Sequence, residues 1–209
     1  MMTLNRRKLM IGSAAASGLA LGAIPALAVD LAELNKEPEL GDMWLGAEAA
    51  ATKVTLIEYA SATCPHCAAF HKDVYGQLKA EYIDSKKIRF VFREFPLNDA
   101  ALAAFMIARA ANKEAYFPLI DVYFETLQTW ATGNVAENLF GIAKQAGFTR
   151  ETFDATLKDA ELAKKIMAIK DDGAKFGVGG TPTFFLNGEI YEGDRTFDAM
   201  KAAIDPLLA

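Results

Sequence analysis

Val54-Thr55-Leu56-Ile57-Glu58-Tyr59-Ala60 followed by Ser61-Ala62-Thr63 and Cys64-Pro65-His66-Cys67 decides the fold. The first seven residues are β-branched or apolar apart from Glu58 and Tyr59, and they read as a buried strand. Ser61-Ala62-Thr63 breaks that strand. Cys64-Pro65-His66-Cys67 then opens a helix that runs to about Tyr82. Pro65 suits its first turn, where a missing N–H costs nothing. Ile88-Arg89-Phe90-Val91-Phe92-Arg93-Glu94-Phe95 is a second strand, ended by Pro96. Strand, helix, strand in this order predicts a parallel pair joined by a right-handed crossover.

Outward from that unit, Met43-Trp44-Leu45 is a candidate edge strand. From Ala100 to Phe176 the periodicity becomes helical. Tyr116, Leu119, Ile120, Tyr123, Phe124, Leu127 and Trp130 recur at steps of three and four, one apolar face of a helix. Such a stripe could line a ligand site, but core packing is the simpler reading. Gly133-Asn134 interrupts the pattern, and Asn134 with Glu137 looks like a capping box. After Gly147, helices are expected over Arg150–Leu157 and Ala160–Phe176, the second ended by Gly177. Thr181-Pro182-Thr183-Phe184-Phe185-Leu186 is a third strand, and Asn187-Gly188 signals a tight hairpin. Glu189-Ile190-Tyr191-Glu192 returns, and Phe197–Leu208 closes as a helix. The fold class is α/β, with the layout βαβ, an all-helical insertion at about 99–176, then ββα.

The first 28 residues read as a leader. Arg6, Arg7 and Lys8 precede an apolar, uncharged run from Leu9 to Leu27, and Ala26-Leu27-Ala28 is a small-x-small cleavage site. This is the pattern of a bacterial secretory signal peptide. The run approaches the roughly 20 residues a bilayer needs, which leaves an uncleaved anchor as the alternative. Its glycines, serines and Pro25 weaken it as a span. Arg6-Arg7 partly matches a twin-arginine signal, so export by the Sec or the twin-arginine route stays open. Residues 29–209 then form one domain outside the cytoplasm, where disulfides persist.

The chain has 209 residues, 52% of them hydrophobic and 23% charged, as in an ordinary folded protein. The net charge is −5, and removing the three cations of the leader makes it more negative. Nucleic acid is an unsuitable partner for such a surface.

With two Cys and two His in the whole chain, disulfide-dense scaffolds and multi-ligand metal clusters are nearly excluded. Three readings compete for Cys64 and Cys67. A structural disulfide over so short a loop constrains the unfolded chain by only about 2 kcal/mol. An open metal site could draw on Cys64, Cys67 and His71, but a closed structural site needs four ligands. A redox dithiol is favoured. Two intervening residues on a first helical turn bring the sulfurs within bonding reach. There the leading Cys meets free backbone N–H groups and the positive end of the helix dipole, which stabilise thiolate.

The block Ile57 to Cys67, together with Gly180-Thr181-Pro182-Thr183-Phe184-Phe185, resembles the disulfide bond formation protein A (DsbA) family of secreted bacterial thiol:disulfide oxidoreductases. The likeness covers nearly all of residues 29–209, and it implies a thioredoxin-like fold. It implies Cys64 as the exposed nucleophile and Cys67 as the buried partner that resolves the mixed disulfide. His66 would stabilise the Cys64 thiolate by a hydrogen bond or a positive charge, or else be a solvated turn residue. Pro65 and His66 together would set the direction of exchange. An acidic, strongly oxidising dithiol comes with the family. Pro182 would be a cis proline facing the dithiol, the alternative being an ordinary trans proline at a strand start. Thr181 would pair with an extended substrate peptide. Glu58 would relay protons to Cys67, or equally be a partly solvated strand residue. His71 departs from the family, where an acid can stand at this helix position. It either alters the charge network or simply caps a polar face.

These readings imply a periplasmic disulfide oxidase that gives its Cys64–Cys67 disulfide to reduced, unfolded secreted proteins. A quinone-linked membrane partner of the DsbB type would reoxidise it. No cofactor beyond the Cys pair and no metal is expected, and the chain would act as a monomer. An isomerase or dedicated reductase of the same fold is the alternative, although Val29 to Thr52 is too short for an N-terminal dimerisation stalk. A non-catalytic peptide-binding or chaperone-like module is the other, and the intact Cys pair argues against it.

Overall fold

The structure, a computed structural model, describes residues 31–209. The leader and its cleavage site lie outside the described residues. Helix α1 (Leu31–Leu34) and strand β1 (Met43–Gly46) precede β2 (Thr55–Ala60). Helix α2 (Pro65–Phe70) follows, then α3 (Gly76–Leu78), with π-helical turns at His71–Tyr75 and Lys79–Ile83 making one continuous crossover into β3 (Arg89–Glu94). Helices α4 (Asp99–Ala110), α5 (Lys113–Glu125), α6 (Leu127–Trp130), α7 (Val135–Ala143), α8 (Arg150–Leu157) and α9 (Ala160–Lys175) stand between β3 and β4 (Thr183–Leu186). β5 (Glu189–Ile190) and α10 (Phe197–Leu208) complete the chain.

The five strands form one sheet in the order β1-β3-β2-β4-β5. β2 and β3 are parallel, with Ile57 opposite Val91 and Glu58 opposite Phe92. The other neighbours are antiparallel, and β4 places Phe184 opposite Glu58 on the free side of β2. This is the thioredoxin-like α/β layout expected from the sequence, with β1 added at the edge.

Alternation along the strands divides the core. Leu56, Ala60, Phe90, Phe92 and Phe184 pack on one face with Cys67, Phe70 and the aromatic stripe of α5 and α6. Ile57, Tyr59, Val91 and Phe185 pack on the other with Ile169 of α9. α9 lies close enough that a Cβ on Gly173 would sit 2.7 Å from Tyr59 Cε1, so only glycine leaves the Tyr59 ring in place. Tyr116, Tyr123, Phe124 and Trp130 are all buried, so the stripe is core. Glu58 shares the face of Leu56 and Ala60, and that parity puts a carboxylate under α2.

Several local expectations need correction. Asn134 caps α7 by accepting from the Glu137 N–H, but the Glu137 carboxylate turns away to Arg150, 2.6 Å distant. The reciprocal box is at Thr149 and Thr152, where each side chain accepts from the other residue's backbone. β4 starts at Thr183, because Pro182 has no N–H for the ladder. β5 ends at Ile190, although the Tyr191 N–H still donates to Phe184 O at 2.8 Å. The hairpin turn itself has both residues at positive φ, Asn187 at 49° and Gly188 at 92°, as a type I′ turn requires.

Two buried ion pairs pin the surrounding segments to the sheet. Arg93 donates to both carboxylate oxygens of Asp42, at 2.8 and 2.9 Å, and to Leu34 O and the Tyr59 hydroxyl. Arg109 donates to both oxygens of Glu94, which also accepts from the Tyr116 hydroxyl at 2.6 Å. Every oxygen of these two carboxylates is engaged, as buried charge demands.

Candidate active site

β2 delivers the chain to Ala60, and the Cys64 N–H bonds back to Ser61 O at 3.0 Å. That turn leaves Cys64 in extended conformation at the N-cap of α2, with Pro65 in the first turn. A sulfur at this position takes the place of the usual capping oxygen. Cys64 Sγ accepts from the Cys67 N–H at 3.4 Å. Both cysteines are free thiols and both are buried, Cys64 at 4% exposure and Cys67 at 0%; Cys64 is therefore not the exposed residue the family resemblance implied, being covered from the Thr181 side.

The two thiols have opposite acidities. The Cys67 thiol, donating to Cys64 Sγ, is the strongest influence that lowers Cys64, to about 5; burial opposes it. The Thr181 hydroxyl and the backbone N–H groups of Cys67 and His66 add to the lowering. Burial is the main force that pushes Cys67 far up, and the Cys64 sulfur and the Glu58 charge push the same way. At neutral pH this is one thiolate and one thiol on the same helical turn. Only a thiolate attacks a disulfide, so nucleophilicity is concentrated on Cys64.

Thr181 faces Cys64 from the β4 side. Its carbonyl oxygen is 3.2 Å from Cys64 Sγ, and the Thr181–Pro182 peptide is cis. A thiol donates to that carbonyl, whereas a thiolate has no proton to give. The buried Thr181 Oγ1 makes no hydrogen bond of ordinary geometry, yet it is close enough to favour the anion. Thr181→Val should therefore raise the midpoint of Cys64 alkylation against pH by about half a unit, less than a full charge-assisted hydrogen bond is worth. An unmoved midpoint would remove the hydroxyl from the set that holds the anion.

Pro65 and His66 are exposed. The contribution of His66 to the Cys64 anion comes through its backbone N–H; the ring stands in solvent. Glu58 is not the half-solvated residue that the sequence left open: its exposure is 0%. Its Oε2 is 3.0 Å from His71 Nε2. His71 likewise does not cap a polar face. Its side chain is 6% exposed, and its ring lies between those of Tyr75 and Phe124, with centroids 4.4 and 4.3 Å away. The clue in the sequence was spacing, since position 71 is one turn beyond Cys67 on the inward face of the helix. Among the described residues, no three His, Cys, Asp or Glu side chains gather as a metal site requires.

The family model described as thioredoxin matches residues 39–206. A Rickettsia bellii protein whose name marks it a candidate protein-disulfide oxidoreductase is 34% identical over 169 residues, which are 78% of this chain and 63% of that protein. The chain thus spans under two thirds of that relative's length. The crystal structure of Wolbachia pipientis alpha-DsbA1 superposes with a TM-score of 0.75 at 28% identity, covering 84% of this chain and 95% of that one. A protein-disulfide isomerase from Novosphingobium aromaticivorans gives 0.66 at 26% identity, over 80% of this chain and 97% of that one. A paired dithiol at a helix N-terminus, a facing Thr-Pro and an all-helical insertion in a five-stranded sheet agree with these matches, and the chain belongs to the thioredoxin superfamily, in its DsbA-type branch.

Proposed function

We propose that this chain is a thiol:disulfide oxidase of the periplasm, exported by the leader at residues 1–28, that passes a Cys64–Cys67 disulfide to reduced, unfolded secreted proteins. The observation that carries the reading is the contrast between the two sulfurs, one acidic at about 5 and one held as a thiol by burial. In the oxidised chain a substrate thiolate attacks Cys64 Sγ. The Sγ–Sγ bond breaks, and Cys67 leaves with the electron pair and takes up a proton. A second substrate thiolate then attacks the substrate sulfur of the mixed disulfide, and Cys64 departs as a stable thiolate. The substrate has lost two electrons and the chain has gained them. A quinone-linked membrane protein of the DsbB type collects those electrons. The Thr181 backbone, beside Cys64, holds the extended substrate as an added strand, with Pro182 behind it. Pro65 and His66 face the incoming partner. The chain works as a monomer, with no cofactor beyond its own Cys pair.

The test is equilibration with glutathione. An oxidase of this kind should lie on the oxidising side of about −180 mV, and a potential near the roughly −270 mV of thioredoxin would overturn the reading. The likeness to the Novosphingobium isomerase favours a second reading, an isomerase. Refolding of a scrambled multi-disulfide substrate separates the two. An oxidase should leave it scrambled while rapidly oxidising the fully reduced form.

A further inference from the structure

The Cys64 sulfur is held by hydrogen bonds, so the turn in front of it decides how well they are made. The Cys67 N–H is 3.4 Å from Cys64 Sγ, and the Cys67 thiol, the Thr181 hydroxyl and the His66 N–H act on the same atom. Hydrogen bonds weaken steeply as distance and angle drift. The turn is Ser61-Ala62-Thr63-Cys64, closed by the Cys64 N–H on Ser61 O at 3.0 Å. Ala62 is buried, and packing fixes that corner. The two hydroxyl residues tie the turn to the loop between β3 and α4. The Leu97 N–H donates to Ser61 Oγ at 3.3 Å. Ser61 Oγ and Thr63 Oγ1 are 3.3 Å apart, and Thr63 Oγ1 donates to Asn98 Oδ1 at 3.3 Å. A hydroxyl has one proton to give. Thr63 gives its own to Asn98, so Ser61 donates to Thr63, and the bonds run one way from Leu97 to Asn98. They end on an oxygen that also caps α4, since Asn98 Oδ1 accepts from the Ala101 N–H at 2.9 Å. The loop that anchors them is itself held. Lys170 of α9 donates to Pro96 O at 2.8 Å, and the Phe95 N–H donates to Ala60 O at 2.8 Å.

We propose that Thr63 is a positioning residue for disulfide exchange: with Ser61 and Asn98 it ties the turn that carries Cys64 to the start of the helical insertion, and so keeps the Cys64 sulfur on its hydrogen-bond donors. The proposal rests on the exchange reading above, in which Cys64 is the attacking sulfur, and adds the side chains that hold that sulfur in place. Thr63 touches neither sulfur through its hydroxyl; it acts through the turn. The links at 3.3 Å are long for hydrogen bonds. Loss of one therefore loosens the turn without unmaking it, and the effect on Cys64 is a fraction of a pH unit.

Thr63→Val keeps the shape of the side chain and removes the hydroxyl. In the reduced full chain, T63V should raise the midpoint of Cys64 alkylation against pH by about half a unit, and slow alkylation about threefold at a pH below the midpoint. The equilibrium constant with glutathione should fall by a similar factor, because the reduced form loses part of its anion's support. Thr63→Ser restores the hydroxyl and should return both readings to wild type. A T63V midpoint within about 0.2 unit of wild type, or a shift that T63S does not repair, would overturn the proposal. If T63V does not fold, amide exchange of the unaltered protein decides. The Cys64 and Leu97 N–H groups, on the two tied segments, should open together; Cys64 opening more than about tenfold as often as Leu97 would sink the idea. The oxidase reading is judged on the potential of the wild type, and this proposal on the differences that T63V and T63S make. Either can therefore fail alone.

Discussion

Cys64→Ser should bring oxidation of a reduced peptide down to the rate seen without protein, and leave the fold intact. The fold survives because position 64 is an N-cap, and serine is among the best residues there. The chemistry is lost because serine forms no disulfide and Cys67 cannot replace it. Cys67 has 0% exposure, and burial holds its sulfur as a thiol across the neutral range. The chain has no third cysteine. The partner variant, Cys67→Ser, should behave in the opposite way. Its Cys64 still attacks, but nothing resolves the product, so mixed disulfides with substrate should accumulate and survive non-reducing electrophoresis. Oxidation surviving in the Cys64 variant, with circular dichroism unchanged, would remove Cys64 from the reaction and restore a binding role for the domain.

The strand before Cys64, the crossover and the Asn187-Gly188 hairpin were all legible because each is a local pattern: apolar continuity, a proline at a helix start, a turn that demands positive φ. Cys64 and Cys67 were legible for the same reason, since four consecutive residues contain the chemistry. The state of Glu58 was not. A strand glutamate is solvated or buried according to what covers its face, and the cover here is α2 above with Phe92 and Phe184 alongside. His71 was harder still. Its partner lies thirteen residues away on another element, and the aromatic ring that closes its second face comes from α5. The Asn134 cap shows a similar limit. Residue types at a spacing of three permitted a box, but Arg150 from the next helix competed for Glu137.

Reduced protein should owe about 3 kcal/mol of its stability at neutral pH to the Cys64 anion, and oxidised protein should lack that contribution. The group is an acid whose folded value, about 5, lies below the 9.0 of an ordinary thiol. Its contribution is full above the unfolded value, shrinks as pH falls between the two, and is gone below the folded one. At pH 7 the solution is about two pH units above the folded midpoint, and each unit is worth about 1.4 kcal/mol. Cys67 adds nothing to this trend, because it is a thiol in both the folded and the unfolded chain at these pH values. The short disulfide loop steadies the oxidised form by roughly 2 kcal/mol, but that term does not vary with pH. The other ionisable groups are common to both forms, so the difference between the forms reports the sulfur. Denaturant unfolding of both forms at pH 7 and near pH 4 isolates the effect. The reduced-minus-oxidised difference should fall by about 3 kcal/mol on acidification. The same energy appears in the redox equilibrium as about 60 mV, so the glutathione potential should move with pH in step with the stability difference. A difference that stays flat from pH 7 to 4 would mean that the sulfur at the N-cap is not held as an anion, and the disulfide would then have no reason to leave.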